Sequence, residues 1–336
     1  MRILVLGGTS FLGPHLVDAA RRRGHEVTLF NRGRTNAHLF PELEKIHGDR
    51  NVAADLAPLA ERDWDVVFDH CGYFPDQVEA TAGLLAKHAG LYAFVSSLSV
   101  FREASGQDEA AAVAEISDEE CMRAIESRRI TGENYGPLKA RCEAAAEAAM
   151  PGRAANVRPG LIVGPGDPSQ RFTYWPARIA DGGEILSPGD PDVTTQFLDV
   201  RDLAEWLVRI AEAKSAGVFH AVGFAGPVTI EEVLHGCKIV TGSDCAFTWV
   251  DDEFLQRHEV RPYMGPNSLP LWIPGERGSY SNEKARRNGL TFRPIGDTIE
   301  DTLAWHREQP AAPWRRAGME REREAAVLAA WHDARK

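Results

Sequence analysis

The chain contains no apolar run approaching the roughly twenty residues needed to cross a bilayer, which argues against a helical membrane span. Cysteine is scarce and odd in number: Cys71, Cys121, Cys142, Cys237 and Cys245, with no Cys-x-x-Cys pair among the five. Neither a disulfide framework nor a thiolate metal site fits that usage, so reduced thiols in a cytoplasmic protein are expected. Positive charge is also short, with 38 Lys and Arg against 49 Asp and Glu. The resulting net charge of −11 argues against a nucleic-acid groove. The densest basic stretch, Arg21-Arg22-Arg23 before Gly24, reads as a complement to a helix C-terminal dipole. The eleven histidines show no metal-binding spacing, and His70 beside Cys71 would point to opposite sides of a strand. No metal is assigned. There is no internal repeat, and with a strand entered at once from Met1 no signal peptide is expected.

What the chain does have is a glycine turn in the right context. Ile3 to Leu6 is a buried-type apolar run that breaks at Gly7-Gly8-Thr9-Ser10 and re-enters a helical pattern at Phe11-Leu12-Gly13. A strand passing through a tight turn into a helix aims backbone N–H groups and a helix dipole at one point, the geometry that holds a pyrophosphate. A second strand, Val27 to Phe30, closes the βαβ unit. Gly7 and Gly13 occupy the first and last glycine positions, and Ser10 stands where a middle glycine is usual. Its Cβ limits backbone approach, but its hydroxyl can donate to a phosphate.

Further strands are expected at Lys45–His47, Val66–Asp69, Tyr92–Ser96, Ala155–Arg158 and Val218–His220. Helices are expected at Val52–Ala60, Gln77–His88, Glu133–Ala149 and Val200–Ala213. This alternation predicts an α/β fold with a doubly wound parallel (Rossmann) sheet and a smaller C-terminal substrate-binding lobe. The expected division is 1–165 with 191–222 in the dinucleotide domain, 166–190 with 223–310 in the lobe, and a C-terminal helix within 311–336. Thr229 and Glu232 form a capping box. Pro262 to Pro274 reads as ordered loop, and Met319 to Ala334 as an amphipathic helix burying Val327, Leu328 and Trp331.

Two segments carry chemistry. Tyr135 and Lys139 lie four apart, on one helix face. A free phenol titrates near ~10, too high for acid–base work at neutral pH, and an adjacent ammonium lowers it. Upstream, the apolar run from Tyr92 ends in Ser96-Ser97-Leu98-Ser99, serines that either cap the strand or face the site.

In this order and spacing, the chain resembles the extended short-chain dehydrogenase/reductase superfamily, the NAD(P)-dependent epimerase/dehydratase family. The matching elements are Gly7–Gly13, Asp49, Ser97–Phe101, Tyr135–Lys139, Arg158–Gly166 and Phe197–Leu203. The resemblance implies that Tyr135 moves the substrate proton and that Lys139 depresses its pKa and holds the nicotinamide ribose. It implies that Ser97, with Ser96 as the neighbour to be distinguished from it, hydrogen-bonds the reacting oxygen. Phe101 replaces a usual tyrosine. Gly7, Thr9, Ser10, Phe11, Leu12, Asp49, Arg50, Cys71, Gly72 and Pro159 would line the cofactor. Ser99, Arg171, Tyr174, Trp175 and Gln196 are the candidates for substrate contact. The aromatic segment Phe172–Trp175 reads equally as lobe core or as substrate wall.

Absences again sharpen the reading. Dehydratases of the family carry an Asp-Glu pair after the serine, where this chain has Leu98-Ser99. Gln196 stands where nucleotide-sugar enzymes often carry a pyrophosphate-binding arginine. Strand two ends in Asn31-Arg32-Gly33-Arg34, without the acid that accepts from the ribose 2′-hydroxyl and with guanidinium groups suited to a 2′-phosphate. NADP(H) is therefore expected over NAD(H). The expected activity is carbonyl reduction or alcohol oxidation on a small polar or sugar-like substrate. The alternatives are a sugar epimerase and, in another class, a non-catalytic dinucleotide- or RNA-binding protein. Neither nucleic acid nor membrane is expected as a partner. The oligomeric state stays open, a homodimer being the assembly kept in view.

Overall fold

The computed structural model describes residues 1–101, 108–274, 280–310, 313–314 and 316–336. Its strands begin with β1 (Arg2–Leu6), β2 (Glu26–Asn31), β3 (Glu44–His47), β4 (Trp64–Asp69), β5 (Ala89–Val95) and β6 (Ala154–Pro159). They continue with β7 (Leu161–Val163), β8 (Glu184–Pro188), β9 (Thr194–Thr195), β10 (Phe197–Asp199), β11 (Gly217–Ala221), β12 (Val228–Thr229) and β13 (Ala246–Val250). The first helices are α1 (Leu12–Arg22), α2 (Ala53–Leu56), α3 (Pro75–Leu85), α4 (Asp118–Ser127), α5 (Gly132–Ala149) and α6 (Tyr174–Ala180). The others are α7 (Val200–Glu212), α8 (Ile230–Thr241), α9 (Asp252–Arg257), α10 (Glu283–Arg287), α11 (Ile295–Arg307) and α12 (Arg321–Asp333).

Seven strands form one parallel sheet in the order β11-β6-β5-β4-β1-β2-β3. Strand β1 is central because Ile3 to Leu6 are apolar on both faces and shed nearly all their exposure. Helices α3 and α5 pack together on one face, and α1 with α7 on the other. Chain order switches direction between β1 and β4, which puts the ligand crevice at the carboxyl ends of these strands.

The chain divides into two compact units. The first comprises Met1–Leu161, Val200–Gly223 and Tyr280–Thr291; the second comprises Ile162–Asp199, Phe224–Ser279 and Phe292–Lys336. Residues 162–165 and 191–199, expected with the sheet, fall in the second unit, and two further departures have local causes. Residues 280–291 join the sheet unit, where Asn282 Nδ2 donates to the Val222 carbonyl at 2.7 Å. Helix α12 is part of the second unit, because Glu324, 1% exposed, accepts from Arg178 Nε at 2.5 Å and from the Leu186 N–H at 3.1 Å. The amphipathic reading of that helix therefore misses a charged residue on its buried face. Val327 and Leu328 are buried as expected, while Trp331 is half-buried against Phe254.

Several boundaries moved for identifiable reasons. The stretch expected as one helix over 52–60 is α2 followed by a 3-10 turn, Ala57–Ala60, with Pro58 at its start. Helix α3 starts two residues early, at Pro75 in the first helical position. Helix α4 was not anticipated, although Ser117 and Glu120 form a capping box like that of Thr229 and Glu232.

Candidate active site

The glycine turn after β1 is built by close approach. Gly7 and Gly8 take φ of 107° and 91°, and a Cβ on either would fall 2.8 Å from the His70 ring or from Leu29. A Cβ on Gly13 would lie 2.6 Å from the Gly8 carbonyl carbon, so only glycine lets α1 sit down on the turn. Ser10, exposed, takes no positive φ; the positive φ falls at Phe11, 44°. The serine in place of a middle glycine thus carries no backbone strain. Thr9 and Leu12 are buried beneath the turn. His70, just past β4, accepts the Gly8 N–H on Nε2 at 3.1 Å, and burial pulls its imidazole below the usual value and toward the neutral acceptor form. The turn is a cradle that any added Cβ would fill, the shape a pyrophosphate-binding turn needs.

At the end of β2, the Asn31 amide is spent on the fold. Its Nδ2 donates to the Gly7 carbonyl and its Oδ1 accepts the Gly33 N–H, both at 2.9 Å. Asn31, expected among the cofactor-binding residues, braces the glycine turn through this amide. Arg32 and Arg34 are exposed. The Asn51 N–H, with lesser help from Arg32 and Arg34, holds the Asp49 carboxyl below the usual carboxylate range.

Arg50 departs further from expectation. Its guanidinium is turned inward onto fully buried Asp69, with Nη1 and Nη2 each 2.8 Å from a carboxylate oxygen. It also donates to the Gln77 carbonyl, Thr81 Oγ1 and Cys71 Sγ. Tyr92 donates to the same carboxylate at 2.6 Å. Arg50 therefore belongs to a buried network under the site, and the expectation of a cofactor contact through its charge is corrected. Gly72 closes over that network: a Cβ there would meet Val78, Asp69 and Phe94 within 2.9 Å. Cys71 Sγ donates to the Leu6 carbonyl at 3.2 Å.

The catalytic candidates lie on α5 and just past the end of β5, where Lys139 reaches the Val95 carbonyl. Tyr135 is half-buried on the same helix face as Lys139, which is 3% exposed. Lys139 Nζ donates to the Gly72 carbonyl at 2.8 Å and the Val95 carbonyl at 2.7 Å, so two of its three N–H bonds fasten the helix to the sheet ends. Burial pulls its ammonium below the usual lysine value, opposed by Cys142, Asp69 and Glu143. Ser97 is half-buried, with Oγ accepting the Ser99 N–H at 3.1 Å; Ser96 is buried at 4% exposure. Ser99 is exposed on the 3-10 turn Leu98–Val100.

Gly136 was missed by sequence reasoning. A Cβ there would fall 1.8 Å from the Ser99 carbonyl oxygen, so a bare α-carbon is what lets α5 lie on the Leu98–Val100 turn. A Gly-Pro pair inside a helical pattern was the available signal. Pro159 ends β6 beside Ala221, buried. Phe101 stacks on Tyr280 at 5.9 Å, with the Arg158 guanidinium 5.0 Å from its ring centre.

Four substrate candidates lie in the second unit. Phe172, Tyr174 and Trp175 are fully buried: Tyr174 packs edge-on against Trp175 and Trp314, and Trp175 Nε1 donates to the Pro270 carbonyl. Tyr174 and Trp175 are lobe core, carried on α6, and the substrate-wall reading is withdrawn for both. Gln196 is half-buried between β9 and β10. Arg171 is half-buried and held by Ser169 and Tyr263.

The sequence profile of the NAD dependent epimerase/dehydratase family matches residues 3–222, more than half of the chain. The chain belongs to that family. It is an NAD(P)-dependent oxidoreductase or epimerase of the extended short-chain dehydrogenase/reductase type. A 2-alkyl-3-oxoalkanoate reductase from Stenotrophomonas maltophilia (strain K279a) is 29% identical over 269 residues, 72% of this chain and 76% of that protein. Among solved structures, the UDP-glucuronic acid 4-epimerase from Bacillus cereus in complex with NAD superposes with a TM-score of 0.65. It is 16% identical, over 92% of this chain and 99% of that one. The UDP-glucose 4-epimerase from Thermotoga maritima gives the same TM-score and identity over the same shares. These two solved structures share the fold of this chain.

Proposed function

We propose that this family member is an NADP(H)-dependent carbonyl reductase acting on a small polar substrate, with oxo acids as the first class to test. The observation that carries the reading is the end of β2. No carboxylate stands there for a ribose 2′-hydroxyl, Asn31 is committed to the glycine turn, and Arg32 and Arg34 are exposed beside it. Two exposed guanidinium groups, with Asp49 close enough to feel their charge, favour a 2′-phosphate. The reductase direction draws support from the similarity to the oxoalkanoate reductase and from Leu98-Ser99 in place of an acidic pair.

The turn from Gly7 to Leu12 would hold the pyrophosphate, and Cys71-Gly72 and Pro159 would border the nicotinamide. The cofactor, when bound, supplies a hydride to the carbonyl carbon. Tyr135 gives its phenolic proton to the carbonyl oxygen, and Ser97 Oγ–H holds that oxygen in place. Lys139, positive and in a dry setting, favours the phenolate that remains.

The test incubates the protein with carbonyl compounds and NADPH or NADH, counting cofactor oxidised per product formed. Stoichiometric NADPH oxidation is expected; isomerised product without net oxidation would reject the reductase in favour of an epimerase. Tyr135→Phe should lower turnover by about 10²–10⁴-fold with cofactor affinity nearly intact. Arg32→Ala should weaken NADPH binding about tenfold or more and leave NADH unchanged. Equal losses for both cofactors would remove Arg32 as the phosphate reader.

A further inference from the structure

We propose that Tyr73 is a positioning residue for catalysis, its ring covering the Lys139 ammonium and keeping that charge dry and unscreened beside Tyr135. The inference deepens the carbonyl-reductase reading and rests on it for the role of Tyr135.

All three residues lie in the first unit. Lys139 Nζ is tied to the Gly72 and Val95 carbonyls and flanked by two aromatic rings. The Phe94 ring centre is 4.1 Å from Nζ and the Tyr73 ring centre 5.5 Å. A ring face within about 6 Å attracts a cation, and more strongly where water is excluded. Phe94 is fully buried, whereas Tyr73 is 43% exposed over an ammonium whose own residue is 3% exposed. One ring is the floor of the cation's setting; the other is its boundary with solvent.

The fold does not ask for an aromatic at position 73. The Tyr73 N–H donates to Gln77 Oε1 at 3.2 Å, a bond that any residue but proline could make. The apolar anchor at the start of α3 is the next residue, Phe74, 5% exposed and clustered with Ile116, Cys121, Ala124 and Leu138. The Tyr73 phenol is no rival base either. Desolvation pushes it above its ordinary value, and Tyr135, Cys71 and Asp69 add to that push.

An ammonium favours a neighbouring phenolate most when no water screens the pair. Burial pulls Lys139 toward its neutral form, and attraction to a ring face opposes that pull. Removing the Tyr73 ring admits water and withdraws this support, and both changes raise the pH at which Tyr135 ionises. The other groups around Lys139 and Tyr73 keep their charge through the alkaline range. Asp69 is paired with Arg50 and Glu143 with Arg158. Burial holds His70 neutral and pushes the Cys71 and Cys142 thiols up, the latter to about 12.

The test follows the reverse reaction, oxidation of the alcohol product with NADP⁺, across pH in the wild type, Tyr73→Leu and Tyr73→Phe. Tyr135 accepts a proton in this direction, so the rate rises with pH. In Tyr73→Leu that rise should move up by about 0.5–1 pH unit, lowering turnover about 3–10-fold below it and little above it. Tyr73→Phe retains the ring face and should retain the wild-type profile. An unshifted profile in Tyr73→Leu, or a loss of equal size at every pH, would overturn the proposal. So would a Tyr73→Phe profile displaced as far as that of Tyr73→Leu. If Tyr73→Leu fails to fold, Tyr73→Gln supplies the same comparison. Ultraviolet titration adds a measurement that needs no substrate. Subtracting the curve of the matching Tyr135→Phe protein isolates the Tyr135 phenol, which should ionise at higher pH when the Tyr73 ring is gone. The two readings fail separately: absence of NADPH oxidation with every carbonyl sinks the reductase, whereas the titration tests Tyr73 directly.

Discussion

Asp69 shows how a residue outside any motif can govern a site. Burial alone would raise its carboxyl, but the Arg50 guanidinium in contact with it, with hydrogen bonds from Arg50 and Tyr92, holds it well below the ordinary carboxylate range. A depressed folded pKa contributes stability that is complete above the unfolded value near ~3.9 and is lost as pH falls through the folded one. Asp69 should therefore add no slope to stability near neutrality and a steep loss in strong acid. Asp69→Asn leaves Arg50 buried and unpaired, which typically costs about 3–5 kcal/mol. Denaturant titrations across pH should show the variant destabilised at pH 7, with its acid limb flattened; an unchanged midpoint at pH 7 would rule this out. Sequence reading found Arg50 by its place after the third strand but gave it the wrong partner. The carboxylate that claims it stands 19 residues away at the end of β4, which β1 and β2 separate from β3 in the sheet, a distance no local pattern spans. Tyr174 and Trp175 illustrate the converse. Aromatics between turn clusters suit a wall or a core equally, and only their complete burial decides for the core.

Among elements, the strands of the seven-stranded sheet were the most legible, because those covered on both faces read as apolar runs. Edge strand β3, with Glu44-Lys45-Ile46-His47, is the exception, and the short strands outside that sheet gave no such signal. Helices were less legible where a short cap was the only sign, as at α4, or where an apolar segment offered no period, as at α6. The contact between α5 and the Leu98–Val100 turn was invisible because it depends on an atom that is missing. Alanine at position 136 would gain up to about 1 kcal/mol of helix propensity over glycine. That gain is outweighed by overpacking, about 1–3 kcal/mol or more, since the new Cβ would lie 1.8 Å from a carbonyl oxygen. Gly136→Ala should thus lower the melting temperature and, by lifting α5 off the turn, cut turnover at least tenfold. Wild-type kcat and Tm together in this variant would show that the contact positions nothing.

Across the whole molecule, the division into two units was readable only in outline, since residues far apart in the chain complete each one. The sheet unit is assembled from three stretches, ending at residues 161, 223 and 291. That arrangement sets a timetable on the ribosome. With 130 residues between 161 and 291, and elongation at about 5–20 residues per second, the last stretch leaves the ribosome roughly 7–26 s after the first. Meanwhile β6 stands as the outer strand of a six-stranded sheet, with one edge bare until β11 arrives to cover it. An uncovered parallel edge invites pairing with other chains. The nascent protein therefore passes through an interval in which a chaperone would find β6 before its own partner strand does.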